Sequence, residues 1–217
     1  MISVKNIHKT YYDGLKPNEV LKGISFEVKE GEMVALMGRS GSGKSTLLNI
    51  LGGLLSPDDG EIVIDGEEID FRKTDRLRRE KIGYVLQDFA LISRKDVLRN
   101  VSFAVRSKKY RDKRYMAVKD LLSDVGMGDK LYSYPFQLSN GEKQRVAIVR
   151  ALVDDKKILL ADEPTGALDA DNAESIMNII RSNVKNRNLT ALIVTHDKEI
   201  AAKCDRVINL NYGVVTY

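Results

Sequence analysis

One run constrains this chain more than any other: Gly38-Arg39-Ser40-Gly41-Ser42-Gly43-Lys44-Ser45 has the Gly-x4-Gly-Lys-Ser spacing of a phosphate-binding loop. Met33-Val34-Ala35-Leu36-Met37 precedes it, an apolar run that suits a central strand covered on both faces. A helical stretch over 44–52 follows it. In that order the glycines let backbone N–H groups close around a polyphosphate, and the helix N-terminus adds positive potential. Lys44 can then reach the β- and γ-phosphates, and the Ser45 hydroxyl can ligate Mg²⁺. An ordinary Gly/Ser turn before a helix is the competing reading, and it does not require a lysine and a hydroxyl at the helix start.

Elsewhere the periodicity switches between strand and helix. Ile24, Phe26 and Val28 share one face of a strand that ends at Glu30-Gly31-Glu32. Asp58-Asp59-Gly60 and Asp65-Gly66 bracket a short strand over 61–65, and 82–87 reads as another. From 88 to 151 the pattern turns helical. Ala117, Val118, Leu121, Leu122 and Val125 form a stripe stopped by Gly126-Met127-Gly128, and a second helix is predicted over 142–152. Strand patterns return at 157–162 and 190–195, separated by a helical pattern with Ala173, Ile176, Ile179 and Ile180. The 217 residues read as one domain, an α/β core over 1–87 and 152–217 interrupted by a helical insert at 88–151.

The second half supplies carboxylates. Ile158-Leu159-Leu160-Ala161-Asp162-Glu163 is an apolar strand ending in two acids. Beside a phosphate loop, Asp162 is placed to hold Mg²⁺ through water and Glu163 to orient and polarise an attacking water. His196 follows a second apolar strand, at the end where α/β folds place ligands. A lone histidine there also serves as a surface or packing residue.

Composition closes off several classes. The net charge of +4, from 35 Lys and Arg against 31 Asp and Glu, is too slight to argue nucleic-acid binding without a basic groove. Residues 72–81 and 106–119 are rich in Lys and Arg, as solvated helix faces are; the alternative for the second is proximity to lipid headgroups. Lys108-Lys109-Tyr110-Arg111 offers one aromatic, which is no stacking platform. Cys204 is the single cysteine, so a disulfide framework is excluded and a reducing compartment fits. The longest apolar run, 33–37, is far short of the roughly 18 residues that cross a bilayer, and 1–5 lacks the apolar run of a signal peptide. Any membrane link is expected to run through a partner.

Leu138-Ser139-Asn140-Gly141-Glu142-Lys143-Gln144-Arg145 resembles the signature of ABC ATPases, usually Leu-Ser-Gly-Gly-Gln. With Asp162-Glu163-Pro164-Thr165, Ala167-Leu168-Asp169 and Thr195-His196-Asp197 in that order, nearly the whole chain is similar to ATP-binding subunits of ABC transporters. Leu47-Leu48-Asn49-Ile50-Leu51-Gly52-Gly53-Leu54 and Tyr134-Pro135-Phe136-Gln137-Leu138-Ser139 resemble the branch with macrolide-export, lipoprotein-release and antimicrobial-peptide-resistance ATPases.

The resemblance implies a P-loop NTPase (RecA-like) α/β core with an N-terminal antiparallel β-subdomain and an inserted α-helical subdomain. It implies ATP and Mg²⁺ as cofactors, and ATP binding by Gly38, Arg39, Ser40, Gly41, Ser42, Gly43, Lys44, Ser45 and Thr46. Tyr11 would stack on adenine, where the residues alone suggest a half-buried strand-end tyrosine. Gln87 would touch Mg²⁺ and water while linking to a membrane partner, and His196 would contact the γ-phosphate. Ser139, Asn140, Gly141 and Glu142 would bind the nucleotide held by a second subunit, with Asp169 on the dimer seam. The expected partners are a second copy, related by a two-fold axis, and integral membrane permease subunits at the cytoplasmic face of the cell membrane, with no nucleic acid.

Two residues depart from the pattern. Asn140 replaces a glycine, and asparagine tolerates a left-handed turn. Glu142 replaces a glutamine; a like charge ~8 Å from a phosphate costs about 2 kcal/mol at an effective dielectric of about 20, offset in part by Lys143 or solvent.

The expected function is ATP hydrolysis driving a separate permease that exports or extracts peptide, antibiotic or lipid-linked substrates. The alternative is a non-transporting ABC ATPase that signals through a membrane partner to cell-wall enzymes. Soluble ABC ATPases of DNA repair or translation add coiled coils, zinc motifs or a second cassette, and a nucleotide kinase has no use for 138–142. Phe89, Leu91 and Ile92, just beyond Gln87, are expected either to open a docking surface over 89–98 or to pack into the insert's own core.

Overall fold

The computed structural model describes residues 1–14, 16–105, 114–154 and 156–216. The middle of the second basic stretch, 106–113, lies outside the described residues.

Two sheets enclose the first core. One is antiparallel, in the order β2 (Lys16–Val28), β1 (Ile2–Asp13), β4 (Asp59–Ile64), β5 (Glu67–Glu68). The other runs β10 (Val214–Thr216), β9 (Arg206–Asn211), β3 (Met33–Met37), β8 (Thr190–Val194), β7 (Ile158–Asp162), β6 (Ile82–Val85). All its neighbours pair in parallel except β10 with β9. The predicted strand over 61–65 begins earlier because its pairing with β1 extends to His8 and Asp59.

The central strands are apolar throughout because they feed two cores. Ile158 and Leu160 of β7 join a cluster with the antiparallel sheet and helix α1 (Lys44–Leu51). Leu159 and Ala161, one residue out of phase, face α6 (Ala170–Arg187) and α7 (Lys198–Ala202) through Ile176, Ile180 and Ile200. Each fully buried Leu or Ile contributes roughly 1.5–3 kcal/mol, and a one-residue slip would exchange the two sets.

A third core is helical. Helices α3 (Val97–Ser102), α4 (Arg114–Asp124) and α5 (Asn140–Leu152) pack Val97, Val101, Val118, Leu122, Val146 and Val149 together. The basic stretch over 72–81 contains α2 (Thr74–Glu80), which buries none of its residues and pairs Arg76 with Glu80 at 2.9 Å. The last turn of α5 lies directly on the edge strand β6, where a Cβ at Gly83 would meet the Ala151 carbonyl oxygen at 2.1 Å. Among the described residues no helix is long and apolar enough to cross a membrane.

Candidate active site

The strand–loop–helix unit brings the phosphate loop to the C-terminal edge of the parallel sheet. Gly43 ends the loop in a left-handed conformation, φ 100°, and opens α1. Above it lies a cleft of roughly 770 Å³, and every predicted loop residue from 38 to 46 except Ser42 lines it. Gln87, Asp162, Glu163 and His196 line it too, so four loops converge where the sequence places ligands.

Three predicted positions stand differently. The Ser42 hydroxyl is buried without a hydrogen-bond partner, outside the cleft wall. Tyr11 is exposed, with the Lys9 ammonium 6.0 Å from its ring centre, and it does not line the cleft. Val20 from the paired strand does. Gln87 sits in a turn rather than at a strand end, because β6 stops pairing with β7 at Val85 and Ala161.

The charges are caged. Lys44 is buried, and its ammonium donates to the carbonyls of Gly38 at 2.8 Å and Arg39 at 2.9 Å. Burial pushes the Asp162 carboxyl above its ordinary value; a Ser45 hydrogen bond and the Lys44 charge pull the other way, and Glu163 adds repulsion. A half-desolvated carboxylate beside a hydroxyl gains from a cation. Ser45, Gln87 and Asp162 offer oxygen donors only, a set that suits Mg²⁺, which keeps waters and borrows phosphate oxygens.

Glu163 is held at φ 45°, the left-handed region that non-glycine residues avoid. Its N–H donates to Val194 of β8 at 3.0 Å, and its carbonyl accepts from Gly166 at 3.1 Å. Its carboxylate reaches the Nδ1 of His196 at 3.1 Å. Two backbone bonds thus hold a carboxylate on the wall of the cleft that Lys44 also lines.

The signature segment lies elsewhere. Ser139, Asn140, Gly141 and Glu142 do not line this cleft. Ser139 caps α5, which starts earlier than predicted, and Asn140 is its first helical residue rather than a left-handed turn. The Glu142 carboxylate accepts from the Ser139 N–H at 2.7 Å, while its own N–H donates to the Ser139 hydroxyl at 3.3 Å. This capping box holds the Glu142 carboxyl below the ordinary range, and the charge favours the helix N-terminus. Glu142 therefore caps its own helix, and the expected charge penalty against a phosphate does not follow from its position.

Sequence reasoning missed what supports Gly141. A Cβ there would meet the Asn172 Oδ1 at 2.4 Å. Asn172 in turn donates from its backbone to Asp169 at 2.9 Å, and Asp169, its carboxyl pulled below the ordinary range by that bond, caps α6. The signature turn and Asp169 are thus braced side by side through one asparagine, and a lone polar residue in a helix carries no sequence signal of that. Of the residues after Gln87, Leu91 packs on the helical core and Phe89 is half-buried, while Ile92 is 39% exposed.

The family model described as "ABC transporter" matches residues 21–166. The chain belongs to the ABC transporter family. It is 42% identical to the putative hemin import ATP-binding protein HrtA of Staphylococcus haemolyticus, over 99% of this chain and 98% of that protein. The dimeric bacterial ABC transporter cassette MJ0796 superimposes with a TM-score of 0.92 at 40% identity, covering 100% of this chain and 97% of that one. The same cassette in a post-hydrolysis state bound to ADP and Pi gives 0.92 at 39% identity, with the same coverage. This ABC subunit is an ATPase, and its fold is the ABC cassette fold.

Proposed function

We propose that this ABC ATPase hydrolyses Mg-ATP at composite sites between two copies and so drives a separate membrane permease at the cytoplasmic face. One observation carries the reading: the cleft gathers the phosphate loop, Gln87, Asp162, Glu163 and His196 of one chain, while Ser139, Gly141 and Asp169 stand outside it. A second copy, related by a two-fold axis, supplies Ser139, Asn140 and Gly141 to the γ-phosphate, with Glu142 capping the helix that presents them and Asp169 along the seam. Lys44 stabilises the transferring phosphoryl group, Ser45, Asp162 and Gln87 hold Mg²⁺, Glu163 orients the attacking water, and His196 contacts the γ-phosphate. Tyr11 offers the adenine a face, and Val20 lines the cleft beside the phosphate loop.

The relatives named for hemin support adding hemin to the peptide, antibiotic and lipid-linked candidates. The direction we propose is export or extraction from the membrane; the import in the relatives' name is the competing outcome, decided by hemin accumulation in cells with and without active ATPase.

Mixing two inactive variants tests the composite site. Lys44→Ala and Ser139→Ala each spoil both sites of their own dimer. Mixed, they leave one site with an intact loop and an intact signature, so hydrolysis returns. No return on mixing would overturn the shared-site reading.

A further inference from the structure

Phe89 and Ala90 follow Gln87 closely and sit one after the other in the left-handed region, at φ 61° and 45°. Neither is glycine, so each side chain crowds its own backbone, and consecutive residues rarely hold that shape unaided. The support comes from α5. The guanidinium of Arg150 donates from Nη2 to the Phe89 carbonyl at 2.7 Å and from Nη1 to the Ala90 carbonyl. A planar fork suits two successive carbonyls as a point charge does not. The outgoing limb is tied as well: the Asn100 side chain accepts from the Ile92 N–H at 2.7 Å and donates to the Ile92 and Lys95 carbonyls. Both anchors belong to the helical layer, whereas Gln87 belongs to the cleft.

We infer that Arg150 is a positioning residue: it holds the Phe89–Ala90 turn in its disfavoured shape so that Gln87 is presented to the metal and the attacking water. The inference rests on the proposed role of Gln87. It makes the strained turn the link between α5, which carries Ser139 at its other end, and the chemistry of the cleft. Burial lowers the Arg150 pKa and the Asp88 charge raises it, as fits a guanidinium solvated by carbonyls.

The test is a double-mutant cycle on the purified full chain, reading kcat, KM for ATP and the Mg²⁺ concentration for half-maximal activity. Arg150→Ala should lower kcat about tenfold and raise the Mg²⁺ requirement while KM for ATP shifts less than about twofold, since small misplacements of a reacting group are costly. Arg150→Lys should fall between, because an ammonium cannot fork to both carbonyls. Glycine takes the left-handed shape freely, so Ala90→Gly alone should be near neutral and Arg150→Ala/Ala90→Gly should recover most of the lost kcat, a strongly non-additive pair. A purely structural role for Arg150 would give additive losses, and that result overturns the inference. So does an unchanged kcat and Mg²⁺ requirement in Arg150→Ala. Should Arg150→Ala fail to fold, Arg150→Lys with and without Ala90→Gly makes the same comparison. Gln87→Ala is the control: parental activity there removes the Gln87 reading and this inference together, whereas a damaged Gln87→Ala beside an unaffected Arg150→Ala removes the inference alone.

Discussion

Nδ1 of His196 lies 3.1 Å from Oε1 of Glu163, a side-chain bridge between the loops that follow β8 and β7. Glu163 is already committed by its backbone, at φ 45° with its N–H bound to Val194. The histidine therefore fixes the remaining freedom, the rotation of the carboxylate. Glu163→Gln should keep ATP binding and stall hydrolysis. Lys44→Ala should weaken binding too and lower the rate by roughly 10²–10³, the usual loss for one such donor. His196→Ala should reduce hydrolysis with binding kept. Nucleotide binding and single-turnover hydrolysis on the three variants check the order, and parental turnover in Glu163→Gln would remove its assignment.

ATP should draw the chain from monomer to two-fold dimer, most completely in Glu163→Gln, where hydrolysis no longer reopens the pair. Light scattering with and without ATP reads this directly. A Glu163→Gln chain that binds ATP and stays monomeric contradicts the composite site.

Glu142 makes a sharper case. Its carboxylate bonds the Ser139 N–H, so Glu142→Gln should leave ATP-driven dimerisation unchanged, and Glu142→Ala should cost the α5 cap about 1 kcal/mol. The folded carboxyl lies below its unfolded value, so its contribution is present above the unfolded pKa and fades as pH falls through the folded one. Melting curves of parent and Glu142→Gln between neutral and acid pH should converge at the acid end.

Gly141→Ala should fail because a Cβ meets the Asn172 side chain. Adding Asn172→Ala should restore the melting temperature. Recovery of stability without recovery of ATP-driven dimerisation separates packing within one chain from contact across the pair.

Leu91 and Ile92 divide the expected docking surface. Leu91→Asp should destabilise the chain, since Leu91 packs on the helical core. Ile92→Asp should fold, bind ATP and lose co-purification with the permease. A folded Ile92→Asp that stays fully partnered moves the docking surface elsewhere.

Much of the fold was legible because its central strands are apolar on both faces and its loops carry motif spacing. Strand β1 was not, since its register shifts between Val4 and Ile7, between Ile7 and His8 and again between Lys9 and Thr10, and each shift breaks the period of two. The start of α5 was misplaced because its cap is polar and precedes the apolar stripe by about two turns. Within the site, Val20 went unseen because it reaches the cleft from β2, outside the phosphate-loop motif, which no local spacing reports. Arg150 and Asn172 act on segments far away in sequence and resemble ordinary helix-surface residues until the chain is folded.

The contact of Gly83 with the Ala151 carbonyl makes α5 a lever with one end seated on a sheet edge. At 1.5 Å per residue its 13 residues reach roughly 20 Å from that fulcrum to Ser139. Tilting it by about 10° sweeps the Ser139 hydroxyl through roughly 3 Å, the length of one hydrogen bond. A side chain at position 83 would raise the fulcrum and displace the far end, so Gly83→Ala should disturb a contact made by the opposite tip of the helix.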